Sequence, residues 1–286
     1  MTPPEEPDRP RGPLLAVLGL VIASLSTMCG IGGGLFTAPL LHYVFKVPLK
    51  RSVATALCLV WCVSLSATIS EALHPAGALH PRLVLALIAG ALVGAQIGFQ
   101  LAQRLPTHIL KLVFCVVLLA VGSKMISMSG GGEALIDATF TPDIETYAVV
   151  AGIGLAAGIL VPLLGVGGGL IVVPGLVLVM PEIGFLGARA SSLGMAVVTS
   201  SRSLWLYHAK GAVDWRMGAW LGAGAAIGAV LGVQFAHDAG GEVGKVLLGV
   251  VLLLASARFG LDLSRAARDQ GGSSDEPPAG GGQAQA

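Results

Sequence analysis

Two glycine clusters are the residues best placed to do chemistry in this chain. Gly30, Gly32, Gly33 and Gly34 surround Ile31 inside one apolar stretch, and Gly165, Gly167, Gly168 and Gly169 surround Val166 inside another. Glycine accepts left-handed backbone angles and lets a second backbone approach closely, so each cluster reads as a helix break. A break within lipid leaves N–H and C=O groups unpaired at several kcal/mol each, and survives only where protein or a water-filled cavity covers it. The helix that restarts at Leu35 or Leu170 presents free N–H groups carrying roughly half a positive charge, an arrangement suited to an anion. Pro39 and Pro174 fall in the second turn of each restarted helix, where the missing donor loosens it.

Side chains near these clusters could extend such a site. Thr55, Ser191 and Ser192 begin the spans that follow the two clusters and offer hydroxyls to substrate oxygens or to helical carbonyls. Ser192, Met195, Thr199 and Arg202 share one face of the stretch 190–207 by helical spacing. Arg202 is the basic residue well inside an apolar run. It reads either as an anion ligand or as a cation snorkelling to the interface. Glu71, near the end of 52–72, reads as an interfacial carboxylate that could also carry a coupling proton. His74 and His208 flank span ends and could gate or relay protons, or be hydrogen-bonded in their loops.

The elements that must position these residues are membrane helices. The chain has 286 residues, 54% of them hydrophobic and only 12% charged, with a mean hydropathy of +0.82. A soluble domain carries roughly a quarter charged residues, so a water-facing surface is excluded, and with it a soluble enzyme or a nucleic-acid binder. Apolar runs fall at 14–29, 35–45, 52–72, 83–103, 108–128, 147–164, 170–180, 190–207, 215–236 and 243–262. Crossing the hydrocarbon takes about 20 helical residues. The runs 35–45 and 170–180 are too short to cross, so each pairs with the run before it as a broken helix or re-entrant hairpin. Residues 1–13 and 263–286 read as disordered tails by composition. The four cysteines show neither disulfide nor metal spacing, and no nucleotide-binding loop, metal cluster or cofactor motif is present.

The chain is internally duplicated. Gly30 through Leu35 and Pro39 return as Gly165 through Leu170 and Pro174, an offset of 135, and His74, Gly94, Gly98 and Lys111 return as His208, Gly228, Gly232 and Lys245 at 134. The repeats are 14–128 and 147–262, joined by an acidic connector at 129–146. Gly90, Gly94 and Gly98, like Gly224, Gly228 and Gly232, form small-residue stripes for close helix packing, at the interface between halves. If each hairpin returns to its own side, three spans per half make the repeats inverted. Of the Lys and Arg other than Arg202, twelve then lie inside and four, Arg82, Lys124, Arg189 and Lys245, outside. Parallel repeats split them seven to nine, so the positive-inside rule prefers inversion with both termini cytoplasmic.

The twice-used Gly-x-Gly-Gly-Gly…Pro signature resembles the sulfite exporter (TauE/SafE-type) family of membrane permeases, over nearly all of 14–262. That resemblance implies transport of small anions, sulfite and organosulfonates among them, across the bacterial cytoplasmic membrane.

The expectation is therefore an all-α polytopic membrane protein of two inverted repeats, each a broken hairpin plus three spans. It is a secondary transporter of a small anion rather than an enzyme. Its partners are that solute and the lipid bilayer, with no nucleic acid and no cofactor; a homo-oligomer is compatible with the sequence. An anion channel, or a transporter of another solute such as a cation, stays open.

Overall fold

The structure is a computed structural model that describes residues 12–104, 119, 123, 143–164 and 167–272. Most of the expected span at 108–128, Gly165, residues 1–11 and 273–286 of the expected tails and most of the connector lie outside the described residues, whereas 263–272, expected to be tail, continue the last helix. Among those described there are helices and no strand: α1 (Gly12–Cys29), α2 (Gly34–Pro39), α3 (Leu49–Leu73), α4 (Pro81–Arg104), α5 (Ile144–Leu164), α6 (Gly169–Val179), α7 (Gly184–His208) and α8 (Trp215–Gly272). Six of them, α1, α3, α4, α5, α7 and α8, are long and apolar enough to cross a membrane.

Exposed apolar surface marks the lipid-facing sides. On α1, Leu14, Val17, Val21 and Leu25 point outward while Leu15, Gly19, Ala23 and Ser26 are buried. Leu15 apart, these large apolar residues face out and the small ones face in. This is the pattern expected where lipid is as apolar as leucine and helices associate by close backbone packing.

The glycine stripes make that packing, and they make it between the two halves of the sequence. A Cβ on Gly90, Gly94 or Gly98 of α4 would strike the carbonyl oxygens of Ala151, Leu155 and Ile159 on α5. A Cβ on Gly224, Gly228 or Gly232 of α8 would strike those of Ala16, Leu20 and Ser24 on α1. Residue numbers rise together in both series, so α4 runs parallel to α5, and the first arm of α8 runs parallel to α1.

The repeat-related helices α3 and α7 run antiparallel. Arg189, early in α7, meets Glu71, late in α3. Tyr207, late in α7, packs against the cluster that holds Val53 and Ala56, early in α3.

Two expected spans, 215–236 and 243–262, belong to one element. The helix α8 is interrupted only at Gly240, whose φ of 76° and ψ of 166° are non-helical. At about 1.5 Å per residue its 58 residues would be far longer than a bilayer is thick, so the break at Gly240 separates two arms. Beyond it, Leu248 and Leu252 join the buried cluster of Leu176 and Met180 from the α6 region. The helix α7 also starts earlier than the apolar run 190–207, because Gly184, Phe185, Gly187 and Ala188 wind into its first turns.

Candidate functional site at the glycine tips

Both hairpins break where the glycines fall. Gly33 (φ 87°) and Gly168 (φ 73°) cap α2 and α6 in the left-handed region, a conformation that costs an L side chain about 1–2 kcal/mol. Their carbonyls are consumed at once. Gly33 accepts from the amides of Phe36 and Thr37 and from the Thr37 hydroxyl, and Gly168 accepts from the amides of Ile171 and Val172. The amides of Gly34 and Leu35, and of Gly169 and Leu170, open their helices and have no intrahelical acceptor.

Pro39 ends α2, and the chain continues through a π-helical turn at Leu40–Val44. Lacking the N–H for the next bond, proline shifts the ladder to a wider register. Pro174 lies buried within α6, which continues to Val179.

The two tips touch. A Cβ on Gly32 would sit 3.5 Å from the Gly167 Cα, and one on Gly167 would sit 2.8 Å from the Ile31 oxygen. A Cβ on Gly169 would collide with the carbonyl of Gly30. Each tip is lined from repeat-equivalent positions, with different side chains. Leu59 of α3 lies over Gly33 as Met195 of α7 lies over Gly168, and Ile22 and Ser26 of α1 correspond to Ala157 and Val161 of α5.

The hydroxyls distribute unequally. Ser192 Oγ donates to the Gly30 carbonyl at 3.0 Å, tying α7 to the first tip. Ser64 Oγ of α3 is buried beside Gly32 without a partner, and Ser191 Oγ is likewise buried and unpartnered. Thr55 accepts the Asp214 amide at 3.1 Å, which fastens α3 to the start of α8 instead of facing the tips. Thr199 Oγ1 bonds back to the Met195 carbonyl of its own helix.

Arg202 belongs elsewhere. Its guanidinium donates to Gln96 of α4 at 3.1 Å and lies 4.9 Å over the exposed ring of Trp205. Those contacts hold the guanidinium on Gln96 and Trp205 rather than at the tips. His208 is exposed and accepts from the Trp215 indole N–H at 3.2 Å.

His74, its counterpart in the repeat, leads to a group the sequence reading missed. Its ring stacks on His237 with centroids 4.1 Å apart. His237 Nε2 lies 2.9 Å from Glu71 Oε1, and Arg189 Nη2 lies 2.6 Å from Glu71 Oε2. Glu71 is thus buried rather than interfacial, and Arg189, counted in the sequence as an outer loop charge, is fully enclosed. The signal was present: Arg189 directly precedes Ala190-Ser191, the repeat of Ala54-Thr55, so it falls inside a repeated helix. Burial of its partner could not be read from the one-dimensional pattern. The arginine is anchored at the first tip, because a Cβ on Gly30 would come 3.0 Å from Arg189 Cγ.

A separate apolar groove of about 360 Å³ lies between α3, α4 and α7, lined by Leu65, Thr68, Leu79, Val84, Gly194 and Val198. Its lining offers no charge to an ionic solute.

Antiparallel repeat-related helices, glycine stripes between halves and two helix breaks meeting tip to tip define a polytopic membrane protein with discontinuous helices. The sulfite exporter TauE/SafE family model matches residues 1–125 and 150–284, and the chain belongs to that family. It is 26% identical over 245 residues to the probable membrane transporter protein ORF9 of a Sinorhizobium species, covering 86% of this chain and 90% of the relative. It is 28% identical over 201 residues to the probable membrane transporter protein MJ0441 of Methanocaldococcus jannaschii, covering 68% of this chain and 72% of that one. A 118-residue stretch, 39% of this chain, is 35% identical to the probable membrane transporter protein MamO of Paramagnetospirillum magneticum. There the match spans only 18% of the relative's length. No solved structure matches the chain.

Proposed function

We propose that the chain is a secondary transporter of a small anion, with sulfite, sulfonates and other organic anions as the candidate class. The carrying observation is the contact of the two tips at Gly32 and Gly167. Helix N-termini meeting at a central site are how carriers with discontinuous helices hold negatively charged groups. An anion is favoured over a cation because the Gly30, Gly33 and Gly168 carbonyls are already bonded, whereas the first amides of α2 and α6 are not satisfied within their helices. Ser64 and Ser191 add unspent hydroxyls, Ser64 beside the Gly32 tip. The family's description as sulfite exporters agrees with an anionic solute, and the relatives' names agree with a membrane transporter.

In this reading the halves are inverted, which the antiparallel pairing of α3 with α7 supports. That pairing puts Lys50 and Arg51 at the start of α3 at the same end of the molecule as Lys210, just after α7. Arg216, at the start of α8, joins them, because α8 runs beside α3 from Asp214 on Thr55 to Gly222 on Cys62. By the positive-inside rule this end is cytoplasmic, in a bacterial inner membrane, and both termini are on that side. His74 and His208 then stand at opposite ends, as gate residues of opposite faces.

The test is flux through purified protein in liposomes against sulfite, methanesulfonate, acetate and sulfate. Saturable uptake of at least one anion, with counterflow, is expected. Absence of flux for the whole panel, or flux that does not saturate, overturns the carrier reading.

A further inference from the structure

Stability alone is a weak reason for the buried ion pair of Glu71 and Arg189. Replacing a buried pair by packed apolar residues is often neutral or stabilising, and ionisable groups at membrane depth are rare and functional by default. The repeat supplies an internal control. Where one half has Arg189 next to Ala190, the other has Val53 next to Ala54. Opposite Glu71 the other half has Trp205, Leu206 and Tyr207, and opposite His237 it has Gln103. One mouth of the same architecture therefore does without these charges.

The geometry points to a proton-linked anion site, in which Arg189 is the side-chain ligand of the transported anion and Glu71 is the internal carboxylate that occupies it when no anion is bound. This rests on the anion-transporter reading above. Arg189 is fully buried, its Nη2 is on Glu71, its Nη1 is 3.4 Å from the Thr27 carbonyl, and its Nε has no partner. The Thr27 hydroxyl is also buried and unpartnered. A guanidinium fork matches the paired oxygens of a carboxylate, a sulfite or a sulfonate equally well, and its stem rests against Gly30 at the tip. The carboxylate and the solute anion therefore compete for one cation.

A proton decides the competition. Glu71 accepts from three donors: Arg189 Nη2, the Ala78 amide at 3.1 Å, and the His237 ring. When Glu71 takes up a proton its charge is gone, the pair with Arg189 opens, and the arginine is free for the anion; when the anion leaves, Glu71 releases the proton and closes on Arg189 again. Net charge in the buried site is unchanged by binding proton and monoanion together, which spares the cost of an unpaired buried ion. The groups facing the pair are His237 from α8, His74 stacked behind it from the loop, and the Cys29 thiol from the end of α1 beside Arg189. His74 is half-buried in a loop whose Pro75, Ala76 and Gly77 are exposed, so protons reach Glu71 from that face through His237.

The experiment is infrared difference spectroscopy on the full-length purified protein, with sulfite, methanesulfonate, acetate and sulfate as probes and binding followed in parallel by calorimetry. Wild type is expected to develop a protonated-carboxyl band on binding an anion. Glu71→Gln, which leaves Arg189 unpaired until an anion binds and is therefore assayed after its folding is checked, is expected to bind the same anion without that band. Arg189→Met leaves Glu71 unpaired and is at risk of misfolding, so the loss of binding is read in the charge-neutral double variant Glu71→Gln/Arg189→Met, expected to be at least about tenfold weaker, 1.4 kcal/mol. Anion binding without the band, a band that persists in Glu71→Gln, or undiminished binding by the double variant overturns the inference and leaves the transporter reading standing. If no probe binds wild type, the transporter reading itself falls and this inference falls with it.

Discussion

Arg189 and Glu71 lie 118 positions apart in the chain and 2.6 Å apart in space, both fully enclosed, on two helices that occupy equivalent places in the repeat. The contact joins the halves at one mouth only. It also fixes a stability ordering. Removing one partner strands a buried charge, which costs about 3–5 kcal/mol, whereas removing both does not. Arg189→Met should therefore unfold well below wild type in detergent, and Glu71→Gln/Arg189→Met should recover most of the loss. Equal melting of the single and double variants would contradict the pairing.

The tip glycines should be intolerant of a methyl group, unlike a glycine with open space around it. Gly33→Ala must hold a left-handed residue, at about 1–2 kcal/mol, and its Cβ would sit 2.5 Å from Leu59 Cδ2. Gly152→Ala meets nothing within 4 Å inside α5 and should be neutral or stabilise by up to about 1 kcal/mol. Thermal stability and liposome flux of the two variants, side by side, check this. Wild-type behaviour of Gly33→Ala would remove the tip from the mechanism.

The stripe glycines make a different prediction. Gly94→Ala places a Cβ on the Leu155 carbonyl, and Gly228→Ala places one on the Leu20 carbonyl, so each must push two helices apart. Overpacking of this kind costs about 1–3 kcal/mol. Both variants should lose stability by similar amounts because they serve equivalent interfaces. A large difference between them would show that the two interfaces are not matched.

Ser192 ties α7 to the first tip through the Gly30 carbonyl. Ser192→Ala leaves that buried oxygen without its donor, at about 1–3 kcal/mol. Flux should fall more than expression, because the oxygen lies where the tips touch. Ser201→Ala, whose hydroxyl only bonds back to Val197 on an exposed surface, is the control.

His80, just before α4, gives a pH dependence. Partial burial lowers its pKa below the ordinary 6.5, and its Nε2 has no hydrogen-bond partner. Well above pH 6.5 the ring is neutral folded or unfolded and contributes no pH dependence. As pH falls through 6.5 the unfolded chain takes a proton that the folded chain resists, so stability drops. Melting from pH 7.5 to pH 5 should decline more steeply for wild type than for His80→Gln. Parallel curves would show that His80 is freely solvated.

Composition and periodicity alone determined that this chain is a bundle of membrane helices, that it is duplicated, and where its helices break. Those properties are local: hydrophobic length decides spanning, and a run of glycines beside a proline breaks a helix wherever it falls. The role of the stripes followed too, because a glycine every fourth residue has one efficient use in lipid. Contacts between distant segments decided the rest. Arg202, prominent as an isolated cation in an apolar run, found Gln96 and Trp205 at the surface, while Arg189, hidden at the edge of its run, is enclosed by the protein. Hydropathy cannot separate those fates. A charge is buried only if a partner arrives from elsewhere in the chain, and Glu71 and His237 arrive from helices 118 positions before and 48 after it through the packing of α3, α7 and α8.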